Sequence, residues 1–355
     1  MTPPGDAQKT SRRKPDAKDV LDDQIISLIR QAGGTPHADL IKEIIITAVK
    51  LVGDHPSYGD LKILNAALKE LRYAFKLFAP YRHIRKVTVF GSARTREEEP
   101  AYQQAVKFAR LISQSGFMVI TGAGDGIMQG AQEGAGRANS FGVNIYLPFE
   151  QHANKFIQDD PKLVTFKYFF TRKLIFVKEA SALVLFPGGF GTHDEAYESL
   201  TLMQTGKGDI MPVVFLDEPG GSYWKEWKTY IEQQLVKRGM ISPDDMNLFT
   251  VTDQVEEAVK EIANFYRVYH SARHVDERLV IRLNRSLSPD VIERLNSEFR
   301  DILTEGKIEA GEPQAQEIRE KELLHLPRLL LKFNRTSLGR LRQLINAINQ
   351  APPSS

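Results

Sequence analysis

The chain has 355 residues, 42% hydrophobic and 26% charged, with 47 basic and 45 acidic side chains and a formal net charge of +2. That near-balance makes no electrostatic case for nucleic acid or a membrane surface as partner. With no cysteine in the sequence, disulfides, thiolate zinc sites and thiol catalysis are excluded.

No apolar stretch is long enough to span a bilayer. The opening MTPPGDAQKTSRRKPDAKD lacks the apolar centre of a signal peptide, so a cytoplasmic protein is expected. Residues 1–18 are polar, basic and Pro-containing and read as a disordered tail. Their Ser11–Lys14 cluster reads as solubilising rather than anion-binding. Residues 19–84 form an N-terminal helical segment, with patterns near 20–32, 38–52 and 58–78. Leu21, Ile25, Ile26 and Ile29 keep helical spacing, as do Leu61, Leu64, Leu68 and Leu71.

From Lys86 strands alternate with helices. Strands are expected over 87–90, 117–120, 143–147, 164–168, 182–186, 211–216 and 248–251. Helices are expected over 101–115, 128–139, 171–179, from about Thr192, then over 223–237 and 254–268. Such alternation implies an α/β fold: a Rossmann-like parallel sheet with helices on both faces, spanning 85–272. After Arg273 the pattern changes to a small α+β appendage over 273–355. Strands are expected there at 278–283 and 329–334, and helices at 289–303 and 338–348.

Ligands of parallel sheets sit beyond the C-terminal strand ends. Three turns lie at such ends: Gly91-Ser92, the run TGAGDGIMQGA from Thr121 to Ala131, and PGGFGTHDE from Pro187 to Glu195. The last is the most informative. A strand running through glycines into a helix N-terminus offers unpaired amides and partial positive charge to an anion. Gly188, Gly189 and Gly191 remove Cβ atoms that would block a phosphate, and Thr192 can cap the helix. Glu195 follows one turn later. A carboxylate beside a phosphate site suggests chemistry rather than binding alone. The first turn, Gly122-Ala-Gly124-Asp-Gly126, misplaces the third glycine of a dinucleotide fingerprint. Glu150 is only loosely placed as its ribose-binding acid.

PGGFGTHDE resembles the P-G-G-x-G-T-x-x-E signature of the LOG family, the cytokinin-riboside-monophosphate phosphoribohydrolases also labelled lysine decarboxylase-like. Thr171-Arg172-Lys173 resembles the family's Arg-Lys pair, and the first glycine turn with Met128 a third family element. There Ala123 replaces a glycine, a departure of one methyl. The likeness runs from about Arg85 to Tyr269.

The resemblance implies hydrolysis of the N-glycosidic bond of nucleoside 5′-monophosphates, with the preferred base open. Glu195 and Arg172 would be catalytic. Gly188, Gly189, Gly191 and Thr192 would anchor the phosphate, and Gly124, Gly126, Ser92, Lys173 and Met128 would complete the substrate site. It implies no cofactor, no metal, and a homodimer or larger assembly. A non-catalytic nucleotide-binding module is the alternative, and pyridoxal phosphate chemistry on Lys173 has no supporting partner residue. Asp194 reads as a charge in the first helical turn and His193 as solvent-facing. Glu133 is a weaker candidate for ribose contact. Tyr223, Trp224 and Trp227 read as packing at a helix start. His270 and His274 have the i,i+4 spacing of a helical metal pair, with no third ligand suggested.

Overall fold

The computed structural model describes residues 17–147, 152–321 and 323–352. The Ser11–Lys14 cluster, most of the expected tail and Glu150 lie outside them. The chain divides into two compact units, Met1–Leu68 and Lys69–Ser355.

In the first unit α1 (Ala17–Gln31) packs along α2 (Ala38–Asp54). Ile25 and Ile29 are buried, as their helical spacing requires. The helix α3 (Tyr58–Phe78) begins in this unit and ends in the second.

The second unit holds a seven-stranded parallel sheet. Its strands are β1 (Lys86–Phe90), β2 (Met118–Thr121), β3 (Ser140–Ile145), β4 (Leu163–Phe166), β5 (Ala182–Leu185), β6 (Val213–Leu216) and β7 (Thr250–Thr252). Crossovers run through α4 (Pro100–Gln114), α5 (Ile127–Ala135), α6 (Phe169–Glu179), α7 (Phe190–Gln204) and α8 (Tyr223–Tyr230), and α9 (Val255–Phe265) follows β7. The order β4-β3-β2-β1-β5-β6-β7 makes β1 the strand from which the chain winds both ways. The crevice outside the ends of β1 and β5 is therefore the expected ligand position of such a sheet. Alternate residues feed two core layers. Val87, Val89, Val184 and Val214 face α4, α5 and α9, whereas Phe90, Leu183, Leu185 and Phe215 face the other layer. Burial on both faces is why these strands read as unbroken apolar runs.

The chain continues through β8 (Tyr269–Val275), β9 (Arg278–Leu283), α10 (Pro289–Glu298), β10 (Leu303–Gly311), α11 (Ala315–Glu320), β11 (Arg328–Phe333) and α12 (Leu338–Gln350). The four strands form an antiparallel sheet, β10-β11-β9-β8. Its Ile281, Leu331 and Phe333 join the same core cluster as Phe215 and Leu185. No helix among the described residues is long and apolar enough to cross a membrane.

Several expectations are corrected. β8, β10 and α11 occupy segments with no expected element. β3 starts three residues before its expected position, and β7 two residues after its own. The helix expected to run to 237 is α-helical only to Tyr230 and continues as a π-helical turn over Ile231–Val236. His270 and His274 lie on β8, not a helix, where four residues separate them by about 13 Å. They cannot share an ion.

Candidate active site

The sheet's switch point carries a cavity of about 760 Å³. Its floor and walls come from the loop after β1, the first glycine turn, the start of α6, the loop after β5 and the first turn of α7. The loops are tied together by backbone. The Ser92 amide donates to Pro187 O at 3.1 Å, and Ser92 O accepts from the Ile127 amide at 3.0 Å. The Ser92 hydroxyl accepts from the Arg94 amide.

α7 begins at Phe190 with Gly189 as N-cap, two residues earlier than expected. Thr192 is therefore not the cap. Its amide already donates back to Gly189 O at 3.0 Å, and its side chain is buried. Among the described residues the amides of Gly189, Phe190 and Gly191 have no protein acceptor. They form the donor set that a helix start presents to an anion. The glycines divide the work differently from expectation. A Cβ at Gly188 would overlap the Thr192 hydroxyl and sit 3.0 Å from the Ser92 nitrogen, so Gly188 is needed for packing. Gly189 and Gly191 face open space.

The first glycine turn is likewise packed against protein. Gly126 has φ +62°, and a side chain there would overlap Ser92 O. Met128 covers Gly122 and Gly124. The Arg172 guanidinium lies so close over Gly122 that a Cβ there would collide with it. Gly124 and Gly126 shape the turn without lining the cavity, whereas Gly122 does line it. Ala123 has φ +62° and is fully buried. The departure from glycine is thus a left-handed alanine rather than one extra methyl, at a cost of about 1–2 kcal/mol. Bonds to Thr121 Oγ1 at 3.0 Å and from the Asn154 amide at 2.9 Å hold it.

Helix α6 aims two cations. Its N-terminus is fixed by Glu70 of α3, which accepts from the Lys167 amide at 2.9 Å and the Thr171 hydroxyl at 2.6 Å. A carboxylate there also complements the helix dipole. Arg172 donates through Nε to Val143 O at 2.9 Å and lies 5.0 Å over the Phe176 ring, leaving its terminal nitrogens toward the cavity. Burial lowers its pKa to about 10, opposed by Glu195. Lys173 does not line the cavity. It pairs with Asp194 at 2.7 Å and Glu198 at 2.6 Å. Those two carboxylates outweigh burial and hold Lys173 above a lysine's ordinary value.

Glu195 lines the cavity one turn into α7, is only 8% exposed, and has one carboxylate oxygen buried without a hydrogen-bond partner. Desolvation raises its pKa to about 7 against the pull of Lys173 and Arg172, with Glu198 and Asp194 adding to the rise. A carboxyl poised near neutrality beside an arginine can exchange a proton with a reactant or steady a developing cation.

Glu195, Arg172, Gly188, Gly189, Gly191, Thr192, Ser92 and Met128 are thus brought together at one cavity, and Lys173 supports it from behind. Glu133 is not among them. It is exposed on α5 and accepts from the Tyr102 hydroxyl at 2.7 Å. His193 is not simply solvent-facing. It lines the cavity and meets the Tyr223 hydroxyl at 2.7 Å, while burial lowers its pKa. Sequence reasoning missed Arg94, Phe169 and Phe190 in the lining. Arg94 could have been flagged as a cation two residues past Gly91-Ser92. Phe190, 95% exposed, fills the variable position of the signature and carries no periodic signal.

Residues 125–262 match the family described as possible lysine decarboxylase. The chain is 26% identical over 162 residues to the cytokinin riboside 5′-monophosphate phosphoribohydrolase of Mycobacterium tuberculosis, covering 45% of this chain and 83% of that one. It is 31% identical over 94 residues to the Arabidopsis thaliana cytokinin riboside 5′-monophosphate phosphoribohydrolase LOG1, covering 26% of this chain and 42% of that one. Among solved structures, the molybdenum cofactor carrier protein of Chlamydomonas reinhardtii aligns at 22% identity and TM-score 0.35, over 50% of this chain and 94% of that one. The family match spans β5, the glycine loop after it and α7, which together form one wall of the cavity, and over this α/β core the chain is similar to the phosphoribohydrolases named above.

Proposed function

We propose that this protein hydrolyses the N-glycosidic bond of nucleoside 5′-monophosphates, releasing free base and ribose 5-phosphate. The observation that carries the reading is Glu195, a buried carboxyl with its pKa raised to about 7, one turn beyond a cradle of unpaired amides. Similarity to proteins named phosphoribohydrolases supports it.

In this reading the amides of Gly189, Phe190 and Gly191 take the 5′-phosphate, helped by Thr192 and by Arg94 at the mouth. Anchoring the phosphorylated end brings the anomeric carbon to Glu195. As the glycosidic bond breaks, positive charge grows on the ribose. Ionised Glu195 stabilises that charge and takes a proton from the attacking water. Arg172 cannot act as a base. It holds Glu195 and the ribose or departing base in place. Phe190 and Phe169 offer exposed rings on which a base can stack. We further propose a homodimer or larger assembly through core helices. Phe169, Phe170 and Leu174 at the start of α6 are 58%, 53% and 47% exposed, an apolar strip suited to a second copy. Light scattering on purified protein tests that part.

The test of function is incubation with AMP, GMP, IMP and CMP, assayed for free base and ribose 5-phosphate, then repeated with Glu195→Gln. Hydrolysis undiminished by that change removes Glu195 from the mechanism. Tight nucleotide binding with no turnover of any nucleotide favours a binding module instead. Carbon dioxide release from an amino acid, dependent on added pyridoxal phosphate, would replace both readings.

A further inference from the structure

The Tyr223 hydroxyl lies 2.6 Å from Gly188 O and 2.7 Å from His193 Nε2. A carbonyl can only accept, so the single phenolic proton goes to Gly188. The His193 contact must then run the other way, with Nε2–H donating to the phenol oxygen. Both rings are held from outside the cavity: Tyr223 lies edge-on to Trp224 at 4.7 Å, and His193 lies 5.4 Å from Trp224 and 6.2 Å from Tyr197. Three elements, α7, α8 and the loop after β5, therefore meet at one oxygen.

That oxygen belongs to the peptide between two glycines, the link in the cradle with the most freedom to rotate. In a trans peptide the C=O and N–H point to opposite sides. Fixing Gly188 O toward Tyr223 fixes the Gly189 N–H in the opposite direction, where it stands with the unpaired amides of Phe190 and Gly191. We propose that Tyr223, buttressed by His193, is a positioning residue that sets the Gly188–Gly189 peptide with its amide turned to receive the substrate's phosphate. This rests on the phosphate-cradle reading given above. His193 and Tyr223 do not touch the reacting bond in this arrangement; they preorganise the donor that meets the far end of the substrate. Loss of the clamp should weaken phosphate binding rather than slow the chemical step.

The experiment measures AMP hydrolysis and, separately, calorimetric binding of ribose 5-phosphate, for wild type, Tyr223→Phe, His193→Leu and the double variant. Tyr223→Phe keeps the ring and removes the hydroxyl. It should raise KM for AMP and Kd for ribose 5-phosphate about ten-fold, as expected for one lost contact to a charged group, with kcat within about two-fold. His193→Leu should give a smaller effect in the same direction and add nothing in the Tyr223→Phe background, because it acts through the phenol. Unchanged ribose 5-phosphate binding in Tyr223→Phe overturns the proposal, as does a drop in kcat with KM preserved, or full additivity of the two changes. A thermal melt guards against mere misfolding: a variant that melts with wild type and still binds weakly supports the clamp. Should wild type bind ribose 5-phosphate yet hydrolyse nothing, the hydrolase reading fails while the binding arm still decides this one.

Discussion

The raised pKa of Glu195 makes a prediction about stability as well as chemistry. An ordinary glutamate titrates at 4.5, and this one at about 7. Below 4.5 both folded and unfolded chains hold the proton, and Glu195 makes no pH-dependent contribution. As pH rises from 4.5 the unfolded chain releases the proton first, so folding becomes less favourable, until above about 7 both states are ionised and the full cost stands. The difference of about 2.5 units, at about 1.4 kcal/mol each, puts that cost near 3 kcal/mol. Between pH 5 and pH 8 it amounts to about 2–3 kcal/mol. Glu195→Gln removes the titration. The amide still leaves a buried polar atom unpartnered, costing about 1–3 kcal/mol, but that penalty is equal at both pH values. Urea denaturation of wild type and Glu195→Gln at pH 5 and pH 8 gives four free energies. The wild type should lose about 2–3 kcal/mol more than the variant between the two. Equal losses in the two proteins would refute the claim that burial dominates this carboxyl.

Arg172→Lys should lower kcat by about 100-fold with little change in folding. A lysine cannot donate to Val143 O and still present two nitrogens to the cavity, and steady-state kinetics with AMP checks it. Gly188→Ala and Gly189→Ala should separate packing from binding. The first meets Thr192 and Ser92 and should lower the melting temperature. The second projects into open space and should melt like wild type while weakening ribose 5-phosphate binding. Ala123→Gly should raise stability by up to about 1 kcal/mol in urea at pH 5, because it relieves a left-handed alanine.

The parallel core was legible because its strands are buried on both faces, so 87–90 and 182–186 stand out as apolar runs. β8 and β10 were not. In YHSARHV only Tyr269 and Val275 are buried, and in LTEGKIEAG only Ile308. A half-solvated strand interrupted by Gly306 at φ +72° loses both apolar run and clean alternation. The cradle was legible from its glycines, but not which glycine does what. Gly188 and Gly126 are demanded by protein contacts made by Thr192 and Ser92, and the Ser92 contacts join residues distant in the sequence. The same distance hid the partners of Lys173 and the contact between His193 and Tyr223. A histidine in a helix's first turn gives no sign of the tyrosine thirty residues on that will meet it.

The energetics bear on the choice between hydrolase and binding module. An anion cradle gains nothing from a nearby carboxylate, whose charge opposes the phosphate. Here the fold does more than tolerate one. It buries Glu195 at a cost near 3 kcal/mol above neutral pH, leaves one of its oxygens unpartnered, and diverts the nearest lysine into pairs with Asp194 and Glu198. A binding protein would improve by exchanging Glu195 for an apolar residue and freeing Lys173 for the phosphate. Under the hydrolase reading proposed above the same arrangement has a use: a carboxyl raised toward neutrality by burial and restrained by Lys173 and Arg172 can ionise near pH 7 beside a carbon that turns positive and accept a proton there.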